Sequence, residues 1–119
     1  MTDKRVVFVT CSSEEEASRI ARALVAERLA ACVNILESPV RSVYRWKGNV
    51  ETAMEHLLVI KTRRARLAAL EAAVKRLHSY ETPEVIALPV AEGSRKYLSW
   101  LDASVRPASK PATRPLARR

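Results

Sequence analysis

A chain of 119 residues, 48% of them hydrophobic, has the length of one domain and enough apolar material for a core. No apolar run reaches the ~18 residues that cross a bilayer, and Met1-Thr2-Asp3-Lys4-Arg5 lacks the charged, apolar, then small order of a secretory signal; a cytoplasmic protein with no membrane partner is the expectation. The net charge of +8 raises nucleic acid as a partner, but Arg106, Lys110, Arg114, Arg118 and Arg119 supply five of those charges from the tail alone, so only non-specific contact through that tail is expected.

Arg5 to Thr10 (RVVFVT) is a short β-branched and aromatic run that predicts a strand buried on both faces. Ser13-Glu14-Glu15-Glu16 follows as a capping box, with the Ser13 hydroxyl accepting from the Glu16 N–H and Glu16 reaching back. Ala17, Ile20, Ala21 and Leu24 then mark one stripe of a helix expected to run to about Ala31. From Cys32 the period shortens to that of a strand. Ser38-Pro39 predicts a bulge or bend, and Val40 to Trp46 resumes the strand. Lys47-Gly48-Asn49 is a turn in which Gly48 can take positive φ, and Val50 to Thr62 returns as a long antiparallel strand. A second helix is expected from about Arg63 to Leu77 with Thr62 as its N-cap. Pro83 stops the helix, Glu84 to Val90 reads as a last strand, and Arg95 to about Ser104 reads as a short closing helix. The domain is thus expected over residues 1–104. Residues 105–119, with Pro107, Pro111 and Pro115 among the basic side chains, are expected to be a disordered tail.

The order β-α-β-β-α-β with a terminal helix predicts an α+β, ferredoxin-like split βαβ fold carrying a long hairpin. Two helices cover one face of such a sheet. The strands at Val6 to Val9, Leu57 to Ile60 and Val85 to Leu88 are apolar on both faces, so the second face needs a cover, and self-association is the simplest one.

Five segments carry a resemblance. Arg28 to Asn34 (RLAACVN), Tyr44 to Gly48 (YRWKG), Lys61-Thr62-Arg63, His78 to Glu84 (HSYETPE) with the IALPV strand after it, and Tyr97 to Leu101 (YLSWL) are similar, in that order, to the motifs of the CutA divalent-cation tolerance family. The resemblance spans Val6 to about Ser104. It implies a homotrimer with hairpins reaching onto neighbouring subunits, a role in tolerance of divalent metals, and copper or another divalent metal as the ion bound. Ser79 stands where the family has proline, and Val9 and Leu77 stand where some members have cysteine and histidine.

Among residues able to carry chemistry, His78 is the first metal candidate, since imidazole suits copper, zinc and nickel. Glu84 offers a carboxylate nearby in sequence, and the ordinary alternative for His78 is a helix C-terminal residue bonding the last carbonyls. Cys32 and Cys11 complete the candidate ligand set. They lie in no CxxC pair and read equally as free thiols in a reducing compartment, Cys32 as a small core residue and Cys11 as a thiol before a helix start, where its pKa could fall. Tyr44, Trp46, Lys61, Tyr80 and Trp100 are assigned to a trimer interface or inter-subunit cleft. With two glycines in the chain and no GxSxG element, phosphate-loop and serine-hydrolase chemistry have no motif, and a non-enzymatic role is expected. The alternatives are a small-ligand-binding trimeric signalling module without a metal, and an RNA-binding module of the same element order. The second is weakened by a third strand, HLLVIKT, with no aromatic on which to stack a base.

Overall fold

The computed structural model describes residues 2–107. Its elements are β1 (Lys4–Cys11), α1 (Glu14–Ala26), β2 (Cys32–Ile35), β3 (Val40–Trp46), β4 (Asn49–Arg63), α2 (Leu67–Leu77), β5 (Ile86–Pro89) and α3 (Arg95–Ser104). The sheet is antiparallel with order β2-β4-β1-β5, and β3 continues beside the distal half of β4. This is the ferredoxin-like arrangement, its second strand divided into β2 and β3 at the Ser38-Pro39 break.

Register decides what each face carries. Val7 pairs with Ile60 and Val9 with Leu58, and all four are fully buried beneath Ile20 and Leu24 of α1 and Leu70 and Val74 of α2. The alternate positions, Phe8 opposite Val59 and Ile86, Thr10 opposite Leu57, and Val6 opposite Leu88, point to the other face. The core helices α1 and α2 pack on the opposite face, and Ile86 and Leu88 are 53% and 42% exposed. The hairpin closes at Trp46 and Asn49 across Lys47 (φ 49°) and Gly48 (φ 83°). Both central residues sit at positive φ, the two-residue pattern whose twist matches the flanking strands. The 15-residue β4 carries the hairpin beyond the core and gives the molecule its 52 Å long axis.

Two helix boundaries differ from expectation. α1 ends at Ala26 rather than near Ala31. Arg28 turns left-handed at φ 59°, the N–H groups of Leu29 and Ala30 both return to the Leu24 carbonyl, and Ala31 N–H bonds the Lys61 carbonyl, drawing the chain into the sheet. Tertiary pairing overrides the helical propensity of that alanine-rich stretch. α2 starts at Leu67 after a 3₁₀ turn at Arg64–Arg66, and Thr62 does not cap it. The Thr62 hydroxyl instead donates to the Leu29 carbonyl at 2.7 Å inside the core. The Ser13 cap forms, accepting from Glu16 N–H at 3.1 Å, but the Glu16 carboxylate reaches the Ser12 N–H rather than that of Ser13. Val105, assigned to the tail by composition, is fully buried with Ala31 and Leu101. Lys110, Pro111, Arg114, Pro115, Arg118 and Arg119 lie outside the described residues.

Candidate functional site

At the rim of the uncovered sheet face, the hairpin and the 80–84 loop enclose a cleft of about 600 Å³. The hairpin contributes Ser42, Tyr44, Trp46 and Glu55, which alternate onto one side of the β3/β4 ribbon, and Thr10 forms the end of β1. The loop supplies Tyr80, Glu81, Thr82 and Glu84. Although the chain is strongly basic, no lysine, arginine or histidine lines this cleft.

Glu55 is its most constrained group, 7% exposed. The Tyr80 hydroxyl donates to its Oε2 at 2.8 Å, the one hydrogen bond of the Glu55 side chain among the described residues. Burial, and then the Glu55 carboxylate beside it, raises the Tyr80 hydroxyl pKa above its ordinary value, so Tyr80 stays a donor. Glu84 is raised from the usual carboxylate range first by burial and then by Glu55. Tyr44 and Trp46, 43% and 48% exposed, present aromatic surface at the mouth. Carboxylates with aromatic faces suit a cation.

A second cluster lies on the helix-covered side of the sheet. Cys11, Glu16 and His78 place one donor atom each within 4.8 Å of one another, all buried. Tyr80 N–H donates to His78 Nδ1 at 3.0 Å, so Nδ1 carries no proton and Nε2 is the N–H that donates to the Thr10 carbonyl at 2.7 Å. The Glu16 carboxylate accepts from Ser12 N–H, from the Ser12 hydroxyl and, at 2.9 Å, from Ser79 N–H. Burial opposes ionisation of Glu16, but these bonds outweigh it and hold its pKa below the usual range. Cys11 is shut away, and burial followed by the charges of Glu16 and Glu55 pushes its thiol up to about 12. The lowered thiol pKa expected at the helix start is not found, because desolvation and two carboxylates exceed the dipole. As folded, the cluster is a satisfied network joining β1, α1 and the loop after α2. A metal would have to displace these hydrogen bonds and the thiol proton.

The four candidate ligands from the sequence thus separate. Cys11 and His78 meet, with Glu16, which sequence reading had used only as a cap. Glu84 belongs to the cleft. Cys32 pairs with Lys61, in the row where Val6 lies, about 16 Å along the sheet from Cys11. Of the interface candidates, Tyr44, Trp46 and Tyr80 line the cleft. Lys61 lies on the uncovered face and bonds Asn34. Trp100 packs on α3 against Ala31, Leu101 and Val105 and tilts against Tyr97. Glu55 escaped the sequence reading. The available signal was a glutamate in the same alternation as Leu57 and Val59, where the strand pattern calls for an apolar residue.

Comparison with known proteins places the chain in a family and supports its fold. A family model described as CutA1 divalent ion tolerance protein matches residues 5–104. The chain is 52% identical over 98 residues to the divalent-cation tolerance protein CutA of Thermus thermophilus, covering 82% of this chain and 94% of that one. It is 50% identical over 101 residues to the chloroplastic protein CutA 1 of Oryza sativa, covering 85% of this chain and 56% of the relative, so it spans little more than half of that longer protein. The solved divalent cation tolerance protein Cut A1 of Thermus thermophilus superposes with TM-score 0.84 at 50% identity over 87% of this chain and 99% of that one. A CutA structure from Archaeoglobus fulgidus, described as periplasmic, superposes with TM-score 0.83 at 40% identity over 87% and 99%. Among the described residues no helix is long and apolar enough to cross a membrane. On sequence, fold and motif order together, the chain belongs to the CutA1 divalent ion tolerance family.

Proposed function

We propose that this chain serves divalent-cation tolerance as a non-catalytic, self-associated module that binds a small ligand in the aromatic and carboxylate cleft and passes its occupancy to partners through the hairpin. The observation that carries the reading is Glu55, a nearly buried carboxylate held by Tyr80 in the wall of a cleft of about 600 Å³, within the size range of small-molecule sites. The uncovered apolar face beside it supports homotrimer formation, since buried apolar area contributes ~25 cal/mol per Å². A cytoplasmic location remains part of this reading.

Direct binding of copper or another divalent metal at Cys11, Glu16 and His78 is the second reading, favoured by the convergence of three donors within 4.8 Å. Thermal shift of the purified protein against a panel of neutral, anionic and cationic small molecules plus CuCl2 and ZnCl2 separates the two. The cleft reading expects stabilising compounds, at ~100 times their Kd, to raise the wild-type Tm by several degrees and to lose that effect in a Tyr44→Ala, Trp46→Ala variant. Stabilisation by CuCl2 alone, intact in that variant and abolished by Cys11→Ser, would transfer the role to the buried triad.

A further inference from the structure

The charge, shape and spacing of the cleft define its ligand more narrowly. We infer that it receives an organic ammonium cation, a molecule with a protonated amine on an apolar body, whose charge meets Glu55 and Glu84 while its body lies against Tyr44 and Trp46. This inference deepens the cleft reading above and rests on it.

Four observations lead there. The first is sign. Glu55, Glu81 and Glu84 face the cleft without one basic side chain among its lining residues, in a chain whose net charge is +8. Such local reversal repels phosphates and carboxylates and attracts cations. The second is the open Glu55 oxygen. Oε2 accepts from the Tyr80 hydroxyl, while Oε1 accepts no hydrogen bond among the described residues, and Glu55 lines the cleft. A charged N–H donor can therefore bond Oε1 without displacing a protein partner. The third is spacing. The only three donor atoms found within 4.8 Å of one another among the described His, Cys, Asp and Glu residues are those of Cys11, Glu16 and His78. The cleft acids are therefore too widely set for a bare ion to gather three carboxylates at once, whereas an ammonium centre needs only hydrogen-bond contacts and carries bulk to span the remainder. The fourth is the walls. The Tyr44 and Trp46 side chains are roughly half exposed at the mouth, giving π surface for the cation and apolar surface for its body.

The experiment is calorimetric titration of the full chain, at fixed ionic strength, with benzylammonium chloride and with its neutral isostere benzyl alcohol, followed by MgCl2. The expected result is saturable binding of benzylammonium, at least tenfold weaker binding of the alcohol, and no competition by equimolar MgCl2. Glu55→Gln should weaken benzylammonium binding at least tenfold and leave the alcohol unchanged. Glu84→Gln, at a position less central to the packing, should weaken it by a smaller factor, and keeps the test decisive if Glu55→Gln does not fold. Equal affinity for amine and alcohol, displacement by MgCl2, or no amine binding up to ~10 mM would each overturn the ammonium assignment. If neutral or anionic compounds still stabilise wild type but not the Tyr44→Ala, Trp46→Ala variant, only the ligand class fails. If nothing acts through those two residues, the cleft reading fails with it.

Discussion

Lys4 illustrates how single side chains set the stability of this fold. Its ammonium is nearly buried at the start of β1 and meets Asp3 and, at 3.1 Å, Asp102 of α3, while Arg63 at the end of β4 lies 3.4 Å from the same Asp102 carboxylate. Hydrogen bonds first from Arg106 and then from Lys4 hold the Asp102 pKa below 3.8. A carboxylate with a depressed native pKa contributes stability above its unfolded value and loses it as pH falls through the native one. Asp102→Asn should therefore cost about 1–3 kcal/mol at pH 7. Urea unfolding should show that deficit shrinking once the pH drops below 3.8. A deficit independent of pH would place the cost in packing instead. The sequence concealed this clamp because its members lie far apart in the chain. Cys11 was visible as a cysteine before a helix, but its deep burial depends on α1 and α2 closing over it, which no local pattern reveals.

At the scale of elements, local chemistry was legible where the chain itself supplies the partner. The Ser13 cap, the Ser38-Pro39 break and the turn at Gly48 follow from residues within a few positions of one another. The C-terminal end of α1 and the start of α2 did not, because they are fixed by distant partners: Ala31 N–H by the Lys61 carbonyl, and the Thr62 hydroxyl by the Leu29 carbonyl. The hairpin turn gives a clean test of the local kind. A Cβ built on Gly48 meets nothing within 4 Å, so replacement there is opposed only by its φ of 83°. Gly48→Ala should lower stability by about 1–2 kcal/mol, the ordinary cost of a left-handed alanine, read as a shift in the urea midpoint without a change in slope. No shift would mean that the turn relaxes to another geometry. The cleft was half legible: Tyr44, Trp46, Tyr80 and Glu84 were singled out from sequence, but their meeting requires β3 to lie along distal β4, and Glu55 became visible only with that register.

For the whole molecule, the governing feature is the sheet face opposite α1 and α2. Strands apolar on both sides announced it in the sequence, and the register gathers Val6, Phe8, Leu57, Val59, Ile86 and Leu88 onto it. The distal hairpin carries Val43 and Val50, 66% and 67% exposed, on the opposite side of the ribbon, so the projecting arm holds a second apolar patch of its own. A sheet face of that kind is an interface in waiting, and the proposed cleft opens at its margin. Closure of the faces by three copies would bring a neighbouring subunit to that margin and link ligand occupancy to assembly. Sedimentation velocity of the purified chain at ~10 µM, at physiological ionic strength, tests this most directly. The account predicts one species of three times the 13.3 kDa chain mass. A stable, well-behaved particle of one chain mass would contradict it.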